Sequence, residues 1–325
     1  MPKAVVCREL GPPERLRLES FASAPLAPGQ VRVAVHAAGI NFPDILMAAG
    51  EYQLKPELPF TPGVEATGEV TEIADGVSGT AVGDRVIVRM RYGAYADEAV
   101  VAPAQLTRLP ANFDYAEGAT FLAAHGTAHH ALVDRGAVAP GEVLLVHGAG
   151  GGVGLAAVEI GKLLGATVIA AASTEEKLAV AKARGADHLV LTTREPFRDA
   201  VKRITDGRGA DVVFDPVGGE IFENSLRCIG WGARILVVGF TGGIGLARTN
   251  LVLIKGASVI GVRAGEAARR NPAAGQARTM ALLQWAEAGK IRPHISHRLP
   301  LENVAPSMRL LIDRKAIGRV ALMMR

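Results

Sequence analysis

The sequence predicts an α/β chain in two parts, a β-rich domain followed by a doubly wound parallel sheet. Up to about residue 112, apolar residues come in short alternating runs broken by Gly and Pro. These are VRVAVHAAGI (31–40), ATGEVTEIA (66–74), DRVIVRM (84–90) and YADEAVV (95–101), which have the period of half-buried strands. From Phe113 a helical segment leads into strict strand–helix alternation. Apolar runs near 143–147, 167–171, 187–191, 211–215, 233–239 and 257–262 are separated by amphipathic segments such as EEKLAVAKARGA and EIFENSLRCIG. Six strands with intervening helices complete a doubly wound sheet. After about Arg263 the alternation stops. A polar, Ala-rich stretch (GEAARRNPAAGQAR) precedes a helix around Met280–Ala288 and a final short strand.

Composition sets the outer limits. A length of 325 residues accommodates two cores, and 49% hydrophobic with 21% charged residues describes a globular protein. No apolar run reaches the length of a membrane span, and MPKAVVCREL lacks a signal-peptide layout. Cys7 and Cys228 lie far apart and suggest a reducing cytoplasm. The net charge of +4 is scattered, without a basic run, so nucleic acid is not the expected partner.

The chemistry is concentrated in EVLLVHGAGGGVGLAAVEIGKLLG (142–165), where an apolar strand passes through glycines into a helix. Ala149, Gly151 and Gly154 fit A-x-G-x-x-G, a variant of the dinucleotide fingerprint. Gly151 lets backbone N–H groups approach a pyrophosphate, and Gly154 lets the helix lie close on its strand. Gly150, Gly152 and Val153 complete the expected cradle. The next strand, ATVIAAAS (166–173), ends in alanines and Ser173, with no Asp or Glu to accept from a ribose 2′-hydroxyl. Lys177 follows one turn later. This favours NADPH over NADH. Ser173 also reads as a helix N-cap with Glu176 completing a capping box.

Further segments carry a resemblance: AAGINFPDILMAAGEY (37–52), LPFTPGVEATGEV (58–70), VGDRV (82–86), HGTAHHAL (125–132), DPVGG (215–219) and GARILVVGF (232–240). With the glycine segment they resemble the medium-chain dehydrogenase/reductase superfamily, and within it the zinc-independent quinone oxidoreductase (zeta-crystallin-like) branch. The resemblance implies a GroES-like catalytic domain (1–122), a Rossmann NADP-binding domain (123–263), and a segment (264–325) that returns to the first.

The zinc enzymes of that superfamily use a Cys, a His in a GHE motif and a four-Cys lobe. Here those positions read Asn41, Gly63-Val64-Glu65 and RMRYGAYAD, so no metal site is expected. His125 and His129 are four apart, but no Cys, Asp or Glu accompanies them at matching spacing, so they read as packing residues. Without a Lewis acid the suitable substrates are ready hydride acceptors. The resemblance implies an NADPH:quinone reductase that transfers hydride from nicotinamide C4, with a proton from Tyr52 or water. The alternatives are reduction of enones, acryloyl or enoyl thioesters or 2-haloacrylate, and a non-catalytic NADPH- or RNA-binding role.

Matched residue by residue, the resemblance places Asn41 near the nicotinamide ribose and substrate, and Tyr52 in the substrate pocket. It places Thr127 at the carboxamide and Gly239, Phe240 and Thr241 along the nicotinamide. Ser173, Lys177 and Arg314 face the 2′-phosphate end. Thr192 stands where the branch often has a tyrosine contacting the adenosine phosphate. Asp44 and Glu65 read as turn and core acceptors. The apolar strand near 257–263 has few charges to guard its edge, and a homodimer through it is expected.

Overall fold

A computed structural model describes residues 1–324. Its contacts divide the chain into two compact units, Met1–Ala123 with the stretch from Pro293 onward, and Ala124–Arg292.

The first unit opens with β1 (Lys3–Val6), β2 (Arg17–Ser20) and β3 (Val31–Gly39), followed by the short helix α1 (Phe42–Ala49). Then come β4 (Glu65–Ile73), β5 (Arg85–Arg89), β6 (Glu98–Val101), β7 (Leu106–Arg108) and α2 (Tyr115–Ala119). Helix α3 (Leu122–His129) crosses into the second unit, which continues with β8 (Val143–Val146), α4 (Gly152–Leu163), β9 (Thr167–Ala172), α5 (Glu175–Ala183) and β10 (His188–Leu191). It proceeds through α6 (Phe197–Ile204), β11 (Ala210–Asp215), α7 (Gly219–Ser225), β12 (Ile229–Val237), α8 (Thr249–Lys255), β13 (Ser258–Gly261), α9 (Ala264–Arg270) and α10 (Pro272–Glu287). The return to the first unit is β14 (Ile295–Pro300), α11 (Val304–Ile312) and β15 (Arg319–Met323).

The second unit holds one parallel sheet in the order β10-β9-β8-β11-β12-β13. The order reverses beside β8, and in such sheets ligands bind outside the strand carboxyl ends at that switch point. Strands β8 and β9 are apolar and buried almost throughout, as strands covered on both faces must be. The first unit holds a two-stranded ribbon, β1-β2, and a larger sheet in the order β14-β15-β3-β4-β5-β7, with β6 also paired to β3. Its core is Val33, Val35, Ile40, Val88, Tyr95 and Leu322 with their neighbours. The expected GroES-like and doubly wound halves are both present.

The C-terminal boundary differs from the sequence expectation. Residues 264–292 belong to the second unit, so the return begins at Pro293 rather than at 264. The polar, Ala-rich stretch before Met280 is itself helical, forming α9 and the first half of α10. Asn271 starts α10 by accepting from the Ala274 N–H at 3.1 Å, with Pro272 in the first helical position. Side chains of α10 tie it to the end of α3 and the segment that follows. Arg278 pairs with Asp134 at 2.5 Å, and Trp285 packs against His129 with ring centroids 5.5 Å apart.

Candidate active site and cofactor cradle

In the second unit, β8 ends in a tight turn through His147–Gly151. The turn is closed by Gly151 N–H donating to the Gly148 carbonyl at 2.9 Å, and tied to the neighbouring strand by Ala149 N–H donating to Ala171 at 3.1 Å. Beneath it, buried His147 shares a 2.8 Å hydrogen bond with Ser225 Oγ. Burial pushes its pKa down to about 3, so the imidazole is neutral. Gly154 has no room for a side chain, because a Cβ would sit on the Gly148 carbonyl oxygen and 2.9 Å from the Ala149 Cα.

Helix α4 starts from Gly151, and no side chain caps it. The N–H groups of Gly152, Val153 and Gly154 have no partner within the helix, and the helix dipole adds partial positive charge there. An uncapped helix end beside glycines at the switch point fits a pyrophosphate.

Strand β9 ends at Ala172. Ser173 is exposed, and the helix cap is Thr174, whose Oγ1 accepts from the Lys177 N–H at 3.3 Å. The cap therefore sits one residue beyond the Ser173 expected, and Ser173 is not the capping residue. The Lys177 stem crosses the glycine turn so closely that a Cβ on Gly150 would lie 2.6 Å from the lysine Cβ. The structure thus brings Ala149, Gly150, Gly151, Gly152, Val153, Gly154, Ser173 and Lys177 into one neighbourhood.

Thr192, in the tyrosine position, turns back on the sheet. Its N–H and Oγ1 both donate to the Ala172 carbonyl, at 2.9 and 3.1 Å. Thr193 Oγ1 donates to the Ser173 carbonyl at 3.2 Å. These bonds bring Arg194 beside the strand end, 3.8 Å from Glu175, with the two side chains 77% and 72% exposed. Sequence reading missed Arg194, since only the β9–β10 pairing puts it next to Ser173.

Gly239, Phe240 and Thr241 follow β12. Gly239 N–H donates to the Asp215 carbonyl, Gly242 N–H to Val217, and Thr241 Oγ1 to Pro216. Buried Asp215 braces the opposite loop by accepting from Val217 and Gly218 N–H groups at 2.8 and 2.9 Å. The close backbone approach at Gly239 thus serves loop against loop, since a Cβ there would meet the Pro216 oxygen at 3.0 Å. Phe240 is exposed. Thr127 lies half-buried on α3.

In the first unit, Asn41 begins α1 and Tyr52 follows its end, so eight helical residues, roughly 12 Å of rise, separate them. Tyr52 is half-buried against the core. Asn41 is buried in a polar cluster. Its N–H donates to Asp44 Oδ2 at 2.8 Å, its Nδ2 to the Gly39 carbonyl at 3.2 Å, and Arg319 Nη2 donates to its Oδ1 at 2.8 Å. Tyr95 donates its hydroxyl to the same Asp44 oxygen at 2.7 Å. Glu65 accepts from the Ala123 N–H at 3.1 Å. Burial outweighs these partners, raising Asp44 to about 6 and Glu65 to about 7. Arg319 is lowered by its own burial, against the attraction of Glu65 and Asp44. Tyr95 and Arg319 were not anticipated. The only available signal for Arg319 was a lone charge opening an apolar strand, which needs a partner when buried.

Arg314 lies in the turn after α11 with φ 58, its N–H donating to Leu311. Val64, where the zinc enzymes have His, is half-buried against the core. His125 Nε2 lies 3.0 Å from Glu159, which also holds Arg184 at 2.6 Å. Among the described residues, no three His, Cys, Asp or Glu side chains gather as metal ligands, and no helix is long and apolar enough to cross a membrane.

Residues 27–111 match the alcohol dehydrogenase GroES-like domain family, and residues 152–281 match the zinc-binding dehydrogenase family. Over 98% of its length the chain is 38% identical to the quinone oxidoreductase-like protein 2 homolog of Nematostella vectensis, covering 88% of that protein. It is 33% identical to human quinone oxidoreductase, with 99% of this chain and 98% of that protein covered. The Escherichia coli quinone oxidoreductase solved with NADPH superposes with a TM-score of 0.90 at 26% identity, covering 99% of each chain.

Proposed function

The chain belongs to the medium-chain dehydrogenase/reductase family of oxidoreductases, in its quinone oxidoreductase-like branch, and from that premise we propose that it is a zinc-independent, NADPH-dependent quinone reductase. The observation that carries the cofactor half is the uncapped start of α4 beside a strand end without a carboxylate. In this reading the N–H groups of Gly152, Val153 and Gly154 hold the pyrophosphate. Ser173, Lys177 and Arg194 take the 2′-phosphate. A guanidinium matches a phosphate in a bidentate way, and Arg194 compensates for the tyrosine replaced by Thr192. Thr127 and Gly239, Phe240 and Thr241 line the nicotinamide.

When bound, the reduced nicotinamide supplies a hydride. Asn41, standing where the zinc enzymes have a cysteine ligand, offers a hydrogen bond instead of a Lewis acid. That suffices for a quinone, whose incoming charge spreads onto a remote oxygen. Tyr52 or water supplies the proton. Together the hydride and one proton convert quinone to hydroquinone.

The assembly we propose is a homodimer formed through β13. The strand is at the sheet edge with Val259 exposed, and Trp231, Leu253 and Ile254 are exposed nearby on β12 and α8. A cytoplasmic setting accords with two unbridged, buried cysteines.

The test is oxidation of NADPH and NADH by the purified protein with benzoquinone, phenanthrenequinone, crotonyl-CoA and chloroacrylate as acceptors. Quinone turnover with NADPH supports the reading. Faster turnover of a thioester or acrylate moves the substrate class to activated alkenes. Tight NADPH binding without any oxidation favours a non-catalytic role.

A further inference from the structure

The cluster around Asn41 does more than start a helix. A guanidinium has only donors, so Arg319 can face only the oxygen end of the Asn41 amide. The Gly39 carbonyl has only lone pairs, so it can face only the nitrogen end. The distances are 2.8 and 3.2 Å. Turning the amide over would set donor against donor and oxygen against oxygen. These two partners therefore select one orientation, in which the unused capacity of Asn41 Nδ2 is an N–H donor.

The rest of the cluster holds the guanidinium there. Arg319 is only 7% exposed, and the charges of Asp44 and Glu65 favour it. Asp44 is itself fixed by Tyr95 and the Asn41 N–H. Gly39 completes the fit, because a Cβ there would lie 3.3 Å from Arg319 Nη2 and against the Ala119 carbonyl. Capping α1 needs Asp44 but not a buried arginine supplied from β15, 278 residues further on.

We propose that Arg319 is a positioning residue, which locks the Asn41 carboxamide so that its Nδ2–H, rather than its oxygen, serves a ligand oxygen. This rests on the reading that Asn41 faces the substrate and cofactor. A donor held in place before reaction stabilises an oxygen that gains charge more than it stabilises the starting carbonyl. Asn41 free to turn over would present its own oxygen to that atom part of the time.

The experiment is a double-mutant cycle on the full-length protein with Asn41→Ala, Arg319→Lys and the combined variant. The readouts are kcat and KM with benzoquinone, NADPH Kd by fluorescence, and Tm. Asn41→Ala should lower kcat at least about tenfold, as expected for loss of a hydrogen bond to a developing charge. Arg319→Lys keeps the charge but not the fork. It should lower kcat about tenfold alone and less than about twofold in the Asn41→Ala background, while lowering Tm in both. NADPH Kd should follow the same non-additive pattern.

Equal loss of kcat in both backgrounds overturns the proposal, as does a drop in Tm with unchanged kcat. If Asn41→Ala itself keeps full activity and NADPH affinity, the placement of Asn41 fails and the proposal falls with it. Asn41→Asp gives an independent decision should Arg319→Lys not fold. It keeps the arginine bond and removes the donor, so the expected result is loss of kcat with retained Tm. Full activity in that variant overturns the donor assignment.

Discussion

The side chain of Lys177 lies across the backbone of Gly150, so that a Cβ added to the glycine would lie only 2.6 Å from the lysine Cβ. Two segments separated by α4 and β9 thus share one small volume, and a basic side chain is held against the turn that precedes α4. Gly150→Ala should displace Lys177 and raise NADPH Kd about tenfold while NADH changes little. Titration of both nucleotides checks this. Parallel weakening would show that the turn itself, rather than Lys177, had been damaged.

Gly154 makes a different demand. A methyl group there runs into backbone, which cannot rotate away as a side chain can. Gly154→Ala should cost about 1–3 kcal/mol through overpacking and should weaken NADPH and NADH together, because the helix must retreat from the turn. Denaturant unfolding beside nucleotide titration tests this. A fully stable variant with unchanged affinity would refute the close-packing role.

Discrimination between the two nucleotides should lie at Ser173 and Arg194. A carboxylate in Ser173→Asp should repel the 2′-phosphate and raise NADPH Kd about tenfold or more, with NADH nearly unchanged. Arg194→Ala should lower the NADPH preference about five- to tenfold. Glu175→Gln, which removes the weak exposed partner of Arg194, should leave the preference intact or raise it. Calorimetric binding of 2′,5′-ADP separates these outcomes from effects on turnover. An Arg194→Ala variant that binds it as the parent does would remove Arg194 from the phosphate site.

The pH dependence of stability should show the buried acid. Glu65 is raised from 4.5 to about 7, burial outweighing the attraction of Arg319 and Arg89 and the Ala123 N–H. It binds its proton more tightly folded than unfolded, so its contribution is fully present below about 4.5 and is lost as pH rises through about 7. Glu65→Gln cannot ionise. Between about pH 5 and 8 its Tm should therefore fall less than that of the parent. Parallel Tm curves would mean that Glu65 is ionised throughout.

The edge strand carries the assembly prediction. Val259→Lys places a charge on the exposed edge of β13 and should convert a dimer to a monomer in analytical ultracentrifugation. NADPH affinity should be retained, since the cradle lies at the other strands. A dimer that persists would move the interface elsewhere.

Local patterns made the second unit legible. The six strands of its sheet follow the apolar runs, and the glycine spacing located the turn before α4. What stayed hidden depended on partners distant in sequence or on competing local signals. The helix around Met280 was expected to begin later than it does because Gly265, Pro272 and Gly275 interrupt the Ala-rich stretch before it, although Asn271-Pro272 is itself a helix start. Ser173 and Thr174 are both good caps, and only the strand length decides between them. Tyr95 and Arg319 reach Asp44 and Asn41 from 51 and 278 residues away, so no window of sequence contains the cluster.

Strand β15 sits between β14 and β3 and brings Arg319 to the cluster. On a growing chain, therefore, the first unit is begun early and finished late. Strands β3–β7 and the acids emerge first, the whole of the second unit follows, and Arg319 comes only after it. Until then Asp44 lacks Arg319, Glu65 has only the attraction of Arg89, and β3 lacks a neighbour along part of its length. Vectorial synthesis should thus allow the glycine turn and parallel sheet of the second unit to form while Asn41 still lacks its arginine partner.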